Sequence, residues 1–268
     1  LSSYSAAIFV DCNPVYNYKD GAKLQKGLKS MSLTVSTSSY EDETAQSCKI
    51  IAPNNHYLES WNDAEPKQGK FSLGQPTISQ IFDTRQSSVS LMVWSGQGLD
   101  YLEKIKNNWK EYVMPLASTS SFEDFWNKSL HDGVFETSNY YTSIFGNEVS
   151  EVAEISLSEV ESAINSMKSK DLELVKYQKV AVGDGAQLNN PWLHELPDPI
   201  TKATWDNYIT MNPVEMSKAG YATTFDQENG LSMASITSNG IKYTLPVYPS
   251  PGQALGTVGV ALGYGRGG

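Results

Sequence analysis

The chain has 268 residues, a formal charge of −10, a pI near 4.8 and 40% apolar residues. That length and apolar content fit a globular protein, with two domains the better expectation than one. The acidity, with no local cluster of Lys and Arg to offset it, argues against an electrostatic grip on nucleic acid or on an anionic membrane.

No apolar run approaches the roughly 20 residues needed to cross a bilayer, and the N-terminus lacks a charged region followed by an apolar one. The chain opens almost directly on an apolar strand and closes on Gly265-Arg-Gly-Gly268. That is the look of a piece of a longer polypeptide. Two cysteines, Cys12 and Cys48, are too few for a disulfide framework and have no metal-ligand spacing. They are expected to be core thiols, with pairing between them left open. His56, His131 and His194 lie too far apart in sequence to suggest a zinc site.

In chain order, Ala6-Ala-Ile-Phe-Val10 predicts a buried parallel strand that stops at the turn Asp11-Cys-Asn-Pro14. A helix follows, with Asp20 as its cap and Leu24, Leu28 and Met31 as its apolar stripe. Leu33–Thr37 predicts a second strand, Asp42–Cys48 a short capped helix, and Lys49–Ala52 a third strand ending at Pro53. This βαβαβ alternation predicts a Rossmann-like doubly wound parallel sheet. Any ligand would lie beyond the strand carboxyl ends, near Asn13-Pro14 and Pro53-Asn-Asn-His56.

From Tyr57 to Arg85 the pattern turns irregular, which suggests a long excursion over the sheet. Leu99, Leu102, Ile105, Trp109 and Val113 then mark one amphipathic helix ended by Pro115, and Phe122, Phe125, Trp126 and Leu130 a second. Ser156-Leu-Ser-Glu159 matches a capping box ahead of Val160, Ala163, Ile164 and Met167. All three stripes are expected to be core.

After about residue 170 short strands dominate: Leu172–Val182, Ser232–Thr237, Ile241–Tyr248 and Thr257–Ala261. Asn239-Gly240 is a strong hairpin signal between two of them. One helix interrupts, with Asn212 as cap, Pro213 at its first position and Gly220 just past its end. A small barrel is the expected fold of this half. Within it, the stretch from Gly183 to Tyr208 carries Gly183, Gly185, Asn189, Asn190, Pro191, Pro197 and Pro199. Those residues forbid a long helix or central strand, so an ordered loop is expected, anchored by Trp192, Leu193 and Trp205.

Catalytic signatures are missing: no Gly-x-Ser-x-Gly, His-Glu-x-x-His, phosphate loop or Cys-x-x-Cys occurs. The Gly-rich tail from Gly252 to Arg266 neither follows a first strand nor opens a helix, so it reads as turn, strand and turn rather than a dinucleotide fingerprint. Glu41, Asp42 and Glu43 sit where carboxylates favour a helix start. Asp63 and Glu65, with Glu59 nearby, have the composition of an acid/base pair, although solvated loop residues are the plainer reading. Asn13, Asn54 and Asn55 lie at strand ends, where amides either make turns or bind the edge of a base or pterin.

The block Asp42-Glu-Thr-Ala-Gln-Ser-Cys-Lys-Ile-Ile-Ala-Pro-Asn-Asn-His-Tyr-Leu-Glu59 resembles the third domain of molybdopterin oxidoreductases of the dimethylsulfoxide reductase superfamily. Asp11-Cys-Asn-Pro14 takes the place of that domain's strand-end Asn-Pro, which the family sets near the guanine dinucleotide of its cofactor. Asn189–Tyr208, Leu245-Pro-Val, Pro251-Gly-Gln and Ala261-Leu-Gly-Tyr-Gly-Arg266 are similar to the fourth domain, a double-psi β-barrel that binds the dinucleotide. The resemblance implies an α/β domain over 1–168, with a helical insertion at about 86–168, and a barrel over 169–268. The cofactor-facing positions it implies are Asn13, Pro14, Asn189, Asn190, Trp192 and Asn207.

Leu58–Thr77 is most similar to the molybdopterin-oxidoreductase-like iron–sulfur subunit of alternative complex III, a quinol-oxidising respiratory complex of Bacteroidetes and other bacteria. That family implies a molybdopterin-enzyme-like half without the molybdenum cofactor, iron–sulfur clusters elsewhere in the subunit, and a periplasmic position among membrane and haem subunits. Family motifs are altered here at Ser60–Lys70, Asp226–Gly230 and Val182–Gly185. The expectation is therefore a non-catalytic, cofactor-free scaffold within these residues, docked to partner subunits and to the rest of its polypeptide. The alternative is the C-terminal part of an active molybdopterin guanine dinucleotide oxidoreductase. A free-standing acidic binding protein is the third reading.

Overall fold

The computed structural model describes residues 4–138, 156–166, 172–226, 230–238 and 240–267. The chain divides into two compact units, Leu1–Ala153 and Glu154–Gly267.

In the first unit, strands β1 (Ala6–Phe9), β2 (Leu33–Ser36) and β3 (Ile50–Ile51) form a parallel sheet in the order β1-β2-β3. Helices α1 (Pro14–Asn17) and α2 (Gly21–Ser30) connect the first two strands. The register aligns Ile8 with Val35 and Val35 with Ile50, so three β-branched side chains share one face. The strand order is sequential, and the reversal that defines a doubly wound sheet is not among the described strands. Leu28 and Met31 are buried, as the stripe predicts. Asp20 stands at the cap position but makes no capping bond, and its carboxylate pairs with Lys23 at 3.3 Å instead. Gly21 is dictated by the sharp α1–α2 corner, since a Cβ there would lie 2.0 Å from the Val15 carbonyl oxygen.

The expected irregular excursion is partly a sheet. Strands β4 (Asn62–Lys67), β5 (Lys70–Gly74) and β6 (Val134–Glu136) pair antiparallel in that order. Asp, Glu, Pro and Lys are poor strand formers. Pro66 is tolerated because β4 is an edge strand whose register shifts between Ala64 and Lys67. Gly69, at φ 74°, makes the turn.

Helices α3 (Ser87–Trp94), α4 (Tyr101–Asn108) and α5 (Phe122–Asp132) complete the unit, and α4 runs into a π turn at Trp109–Val113. Ser121 caps α5 through the Asp124 amide at 3.3 Å, and Gly133 ends it at φ 72°. The core gathers Ile105, Trp109, Val113, Phe125 and Trp126, with the Trp109 and Trp126 rings edge-to-face at 5.9 Å. Leu99, expected in the same stripe, precedes α4 and is exposed.

The second unit opens with α6 (Leu157–Ser166), where the Ser156 hydroxyl accepts from the Glu159 amide at 3.4 Å. The cap forms, but the stripe behind it is not core: Leu157, Val160 and Ile164 are exposed, and no residue of this helix is buried. Met167 lies outside the described residues. Strands β7 (Glu173–Tyr177), β8 (Ile209–Met211), β9 (Met233–Ser238), β10 (Ile241–Pro249) and β11 (Thr257–Ala261) form one mixed sheet in the order β7-β11-β8-β10-β9. Its neighbouring pairs alternate parallel and antiparallel: β7/β11 and β8/β10 are parallel, β11/β8 and β10/β9 antiparallel. The hairpin at Gly240 is present, with Ser238 opposite Ile241. Helices α7 (Pro191–Glu195) and α8 (Pro213–Lys218) sit between strands, and α8 is capped by the Asn212 side chain as its sequence predicts. Met216 of α8 joins Ile209, Val247 and Val258 in the core.

Candidate functional site

In the first unit, strand ends and the Glu-Thr-Ala segment meet around Asn13. Its amide nitrogen donates to Glu43 Oε2 at 2.7 Å, and its oxygen accepts from the Thr44 hydroxyl at 2.7 Å and the Thr44 amide at 3.2 Å. Thr44, fully buried, also accepts from the Val15 amide. Pro14 begins α1. Asp42 accepts from the Ala45 amide at 2.8 Å, and the short helix expected there is a 3-10 turn over Ala45–Ser47. Asn54 reaches Asp11 with its amide nitrogen and caps α3 through the Ser87 amide with its oxygen, at 2.8 Å. Cys12 is exposed and Cys48 half-buried, and both are free thiols rather than the core thiols expected. Cys12 sits at the open strand-end turn rather than within the strand, which is why it escapes the core.

Beyond the carboxyl end of β3 lies a hollow of about 600 Å³ lined by Pro53, Asn55, Asp83, Arg85 and Ser90 among others. Asn55 accepts there from the Thr84 hydroxyl, and Arg85 donates to the Ser90 hydroxyl at 3.0 Å. This is the general position that a parallel sheet reserves for ligands.

In the second unit, the segment from Gly183 to Tyr208 is ordered by internal bonds. Asn190 caps α7 through the Trp192 amide at 3.1 Å. The His194 and Trp205 rings stack 5.1 Å apart and 10° from parallel, and the Trp205 amide donates to the His194 carbonyl. Arg266 Nη1 donates to the Gly185 carbonyl at 2.9 Å and fastens the loop to the tail. Asn207 donates to the Ala261 carbonyl at 2.9 Å and accepts from the Tyr208 amide. Trp192 does not anchor the loop: it is 80% exposed in the first turn of α7, a helix with no buried residue. Asn189, beside it, is exposed as well.

Lys179 is the residue that sequence reading misses. Its ammonium lies 3.9 Å from the centre of the Tyr208 ring and 5.1 Å from that of Tyr264, and donates to the Tyr264 hydroxyl at 3.2 Å. Burial lowers its pKa, with Asp198 and Asp206 opposing. Burial likewise pushes the Tyr208 and Tyr264 phenols up to about 12. Burial would raise Asp198, but hydrogen bonds from Thr201 and Ile200 and the charge of Lys179 outweigh it and hold that carboxyl below its usual range. A lone lysine in a strand pattern carries no signal of such enclosure. The aromatic richness of the tail and of the loop is the only hint.

The cavity that Lys179, Leu193, His194, Trp205 and Tyr264 enclose is only about 10 Å³. That is water-sized, against the roughly 300 Å³ or more of a typical ligand site. Of the named amides, Asn13 and Asn207 spend both ends of their side chains on the protein's own groups and Asn190 spends its oxygen on a helix cap, so Asn13 and Asn207 fit a guanine dinucleotide poorly as they stand. Asn13 and Pro14 stand in one unit and Asn189, Asn190, Trp192 and Asn207 in the other. Among the described residues, no group of three or more His, Cys, Asp and Glu could hold a metal ion.

No family model matches the chain. The fold aligns with acetylene hydratase from Pelobacter acetylenicus at a TM-score of 0.56 and 15% identity, covering 97% of this chain and 37% of the hydratase. The sequence is 30% identical over 100 residues to the molybdopterin-binding-like subunit of menaquinone reductase from Nitratidesulfovibrio vulgaris (strain Hildenborough), a match spanning 35% of this chain and 14% of that subunit. The chain thus shares a fold with that hydratase and, over about a third of its length, a sequence likeness with that molybdopterin-binding-like subunit, and it spans well under half the length of either protein. No helix among the described residues is long and apolar enough to cross a membrane.

Proposed function

We propose that the chain forms the third- and fourth-domain equivalents of a subunit in a quinol-oxidising respiratory complex of the alternative complex III type. In this reading the first unit is a Rossmann-like domain, the second a double-psi barrel, and both serve as a cofactor-free scaffold. The scaffold docks partner subunits and supports an electron-transfer part that carries the iron–sulfur clusters, on the periplasmic side of the inner membrane.

The observation that carries the proposal is the fate of the family's cofactor-facing amides. Asn13 holds Glu43 and Thr44, Asn190 caps a helix and Asn207 ties the loop to β11. A pocket kept for a dinucleotide needs such groups available to the ligand. The homology to the molybdopterin-binding-like subunit of a menaquinone reductase favours a quinone-linked assembly. The exposed ring of Trp192 suits a docking surface.

The test is isolation of the intact assembly from its native membrane, followed by molybdenum analysis and pterin fluorescence of the subunit. Quinol oxidation with neither molybdenum nor pterin in the subunit is the expected result. Molybdenum near one per subunit would overturn the proposal in favour of an active molybdoenzyme.

A further inference from the structure

A second concavity, wholly within the first unit, is unrelated to the cofactor question. It is a hollow of about 320 Å³ between the β4–β5 hairpin and the π turn that follows α4. Asp63 and Glu65 of β4 line one side, Phe71 of β5 another, and Asn108, Trp109 and Tyr112 the third. The π turn produces this wall. With about one extra residue per turn, positions four and five apart fall on one face, which brings Asn108 and Tyr112 around the same opening as Trp109. Single π turns inside helices gather at functional sites, and this one follows an otherwise regular helix.

The chemistry of the lining is specific. Trp109 is almost fully buried, and its indole Nε1–H donates to Asp63 Oδ2 at 3.1 Å, which fixes the carboxylate against an aromatic surface. That donor is neutral, so it orients the Asp63 charge without cancelling it, and Asp63 joins none of the ion pairs among the described residues. Glu65 is oriented by the Gly69 amide at 2.9 Å. Tyr112 leaves its ring largely open to solvent. Carboxylate and aromatic faces together attract a cation, by Coulomb attraction and by the ring quadrupole, and offer an anion nothing. The chain's charge of −10 steers the same class of ligand.

We infer that this hollow is a binding site for an organic cation: an ammonium or guanidinium head group that enters over Tyr112 and pairs with Asp63. The same head group is carried by a small amine or by a Lys or Arg side chain of a partner protein.

The experiment uses the full chain labelled with 15N-tryptophan, titrated with n-butylammonium while the Trp109 indole resonance is followed. Asp63→Asn keeps an acceptor for the indole and serves both to assign that resonance and to remove the charge. A saturable shift is expected, weakened about fivefold by Asp63→Asn and again by Tyr112→Ala, whose exposed ring is not needed for folding. 1-Butanol should give no matching shift. A blocked lysine tripeptide, titrated in parallel, separates the sources: tighter binding than the free amine marks a protein side chain as the occupant, weaker binding a metabolite. No saturable shift with either probe, an equal response to 1-butanol, or an unchanged affinity in Asp63→Asn would each overturn the inference.

Discussion

The close approach of Gly185 to Gly263 allows a paired test of what holds the second unit closed. Gly183 and Gly185 both have positive φ, at 56° and 91°. A Cβ at Gly183 meets nothing within 4 Å, whereas one at Gly185 meets the oxygen, Cα and carbonyl carbon of Gly263 at 2.6, 2.8 and 3.0 Å. Gly183→Ala should therefore carry only the left-handed backbone cost, about 1 kcal/mol. Gly185→Ala carries that cost and an overpacking cost of about 1–3 kcal/mol, because both clashing partners are backbone and cannot rotate away. Urea unfolding followed by circular dichroism, with amide exchange read at β7 and β11, measures both variants. Equal destabilisation by the two substitutions would refute the reasoning, since backbone strain would then be the whole effect.

The phenols of Tyr208 and Tyr264, raised in the fold, contribute stability that is complete below pH 10 and lost as the pH climbs to about 12. Denaturant midpoints across that range should fall, and Tyr208→Phe should flatten the decline. Asn13→Ala should cost about 2 kcal/mol through lost hydrogen bonds. Asn13→Asp sets a second carboxylate against Glu43, raising the pair's pKa in the fold, so its destabilisation should be greater at pH 7 than at pH 4 in the same unfolding assay. Asn190→Ala should cost about 1 kcal/mol by loss of the α7 cap. Trp192→Ala should change the isolated chain's stability by less than about 0.5 kcal/mol while weakening co-purification with partner subunits; a large loss of stability would mean the ring is an anchor after all.

Local periodicity carried much of the fold into view. Strands β1, β2, β9, β10 and β11 and helices α2, α5 and α8 follow from apolar pattern, caps and the Asn-Gly turn. Helix α3 has no cap from its own N-cap residue, Gln86, and runs from serines into a continuous apolar stretch, so no periodic stripe announced it. Strand β4 was hidden because its residues would be poor formers in isolation, and it exists only through pairing with β5. Strand β8 is three residues long, too short for alternation to register. The stripe of α6 is genuine in sequence, yet burial depends on what packs against a helix and not on the helix itself.

The site was legible in motif and illegible in role. Asn13, Pro14 and the Glu-Thr-Ala segment do converge, because a parallel sheet brings its strand ends together. A motif does not say whether an amide faces a ligand or its own neighbours, and that distinction decides the reading here. Lys179 and the π turn were out of reach, since one depends on residues 85 positions away and the other on a helix that departs from its own period.

The bond from Lys179 to Tyr264 closes over 85 residues, and among the described strands β7 pairs with β11 alone, some 80 positions further on. Strand β7 therefore leaves the ribosome long before its partner exists, with Leu174 and Val175 waiting for Val258 and Gly259. Contacts of such separation make folding slow and leave an unpaired edge in the interim. The second unit can close only once Thr257–Ala261 has been made. Loss of the Tyr264 contact or of β11 would then act as a defect in assembly, well before it mattered to any site.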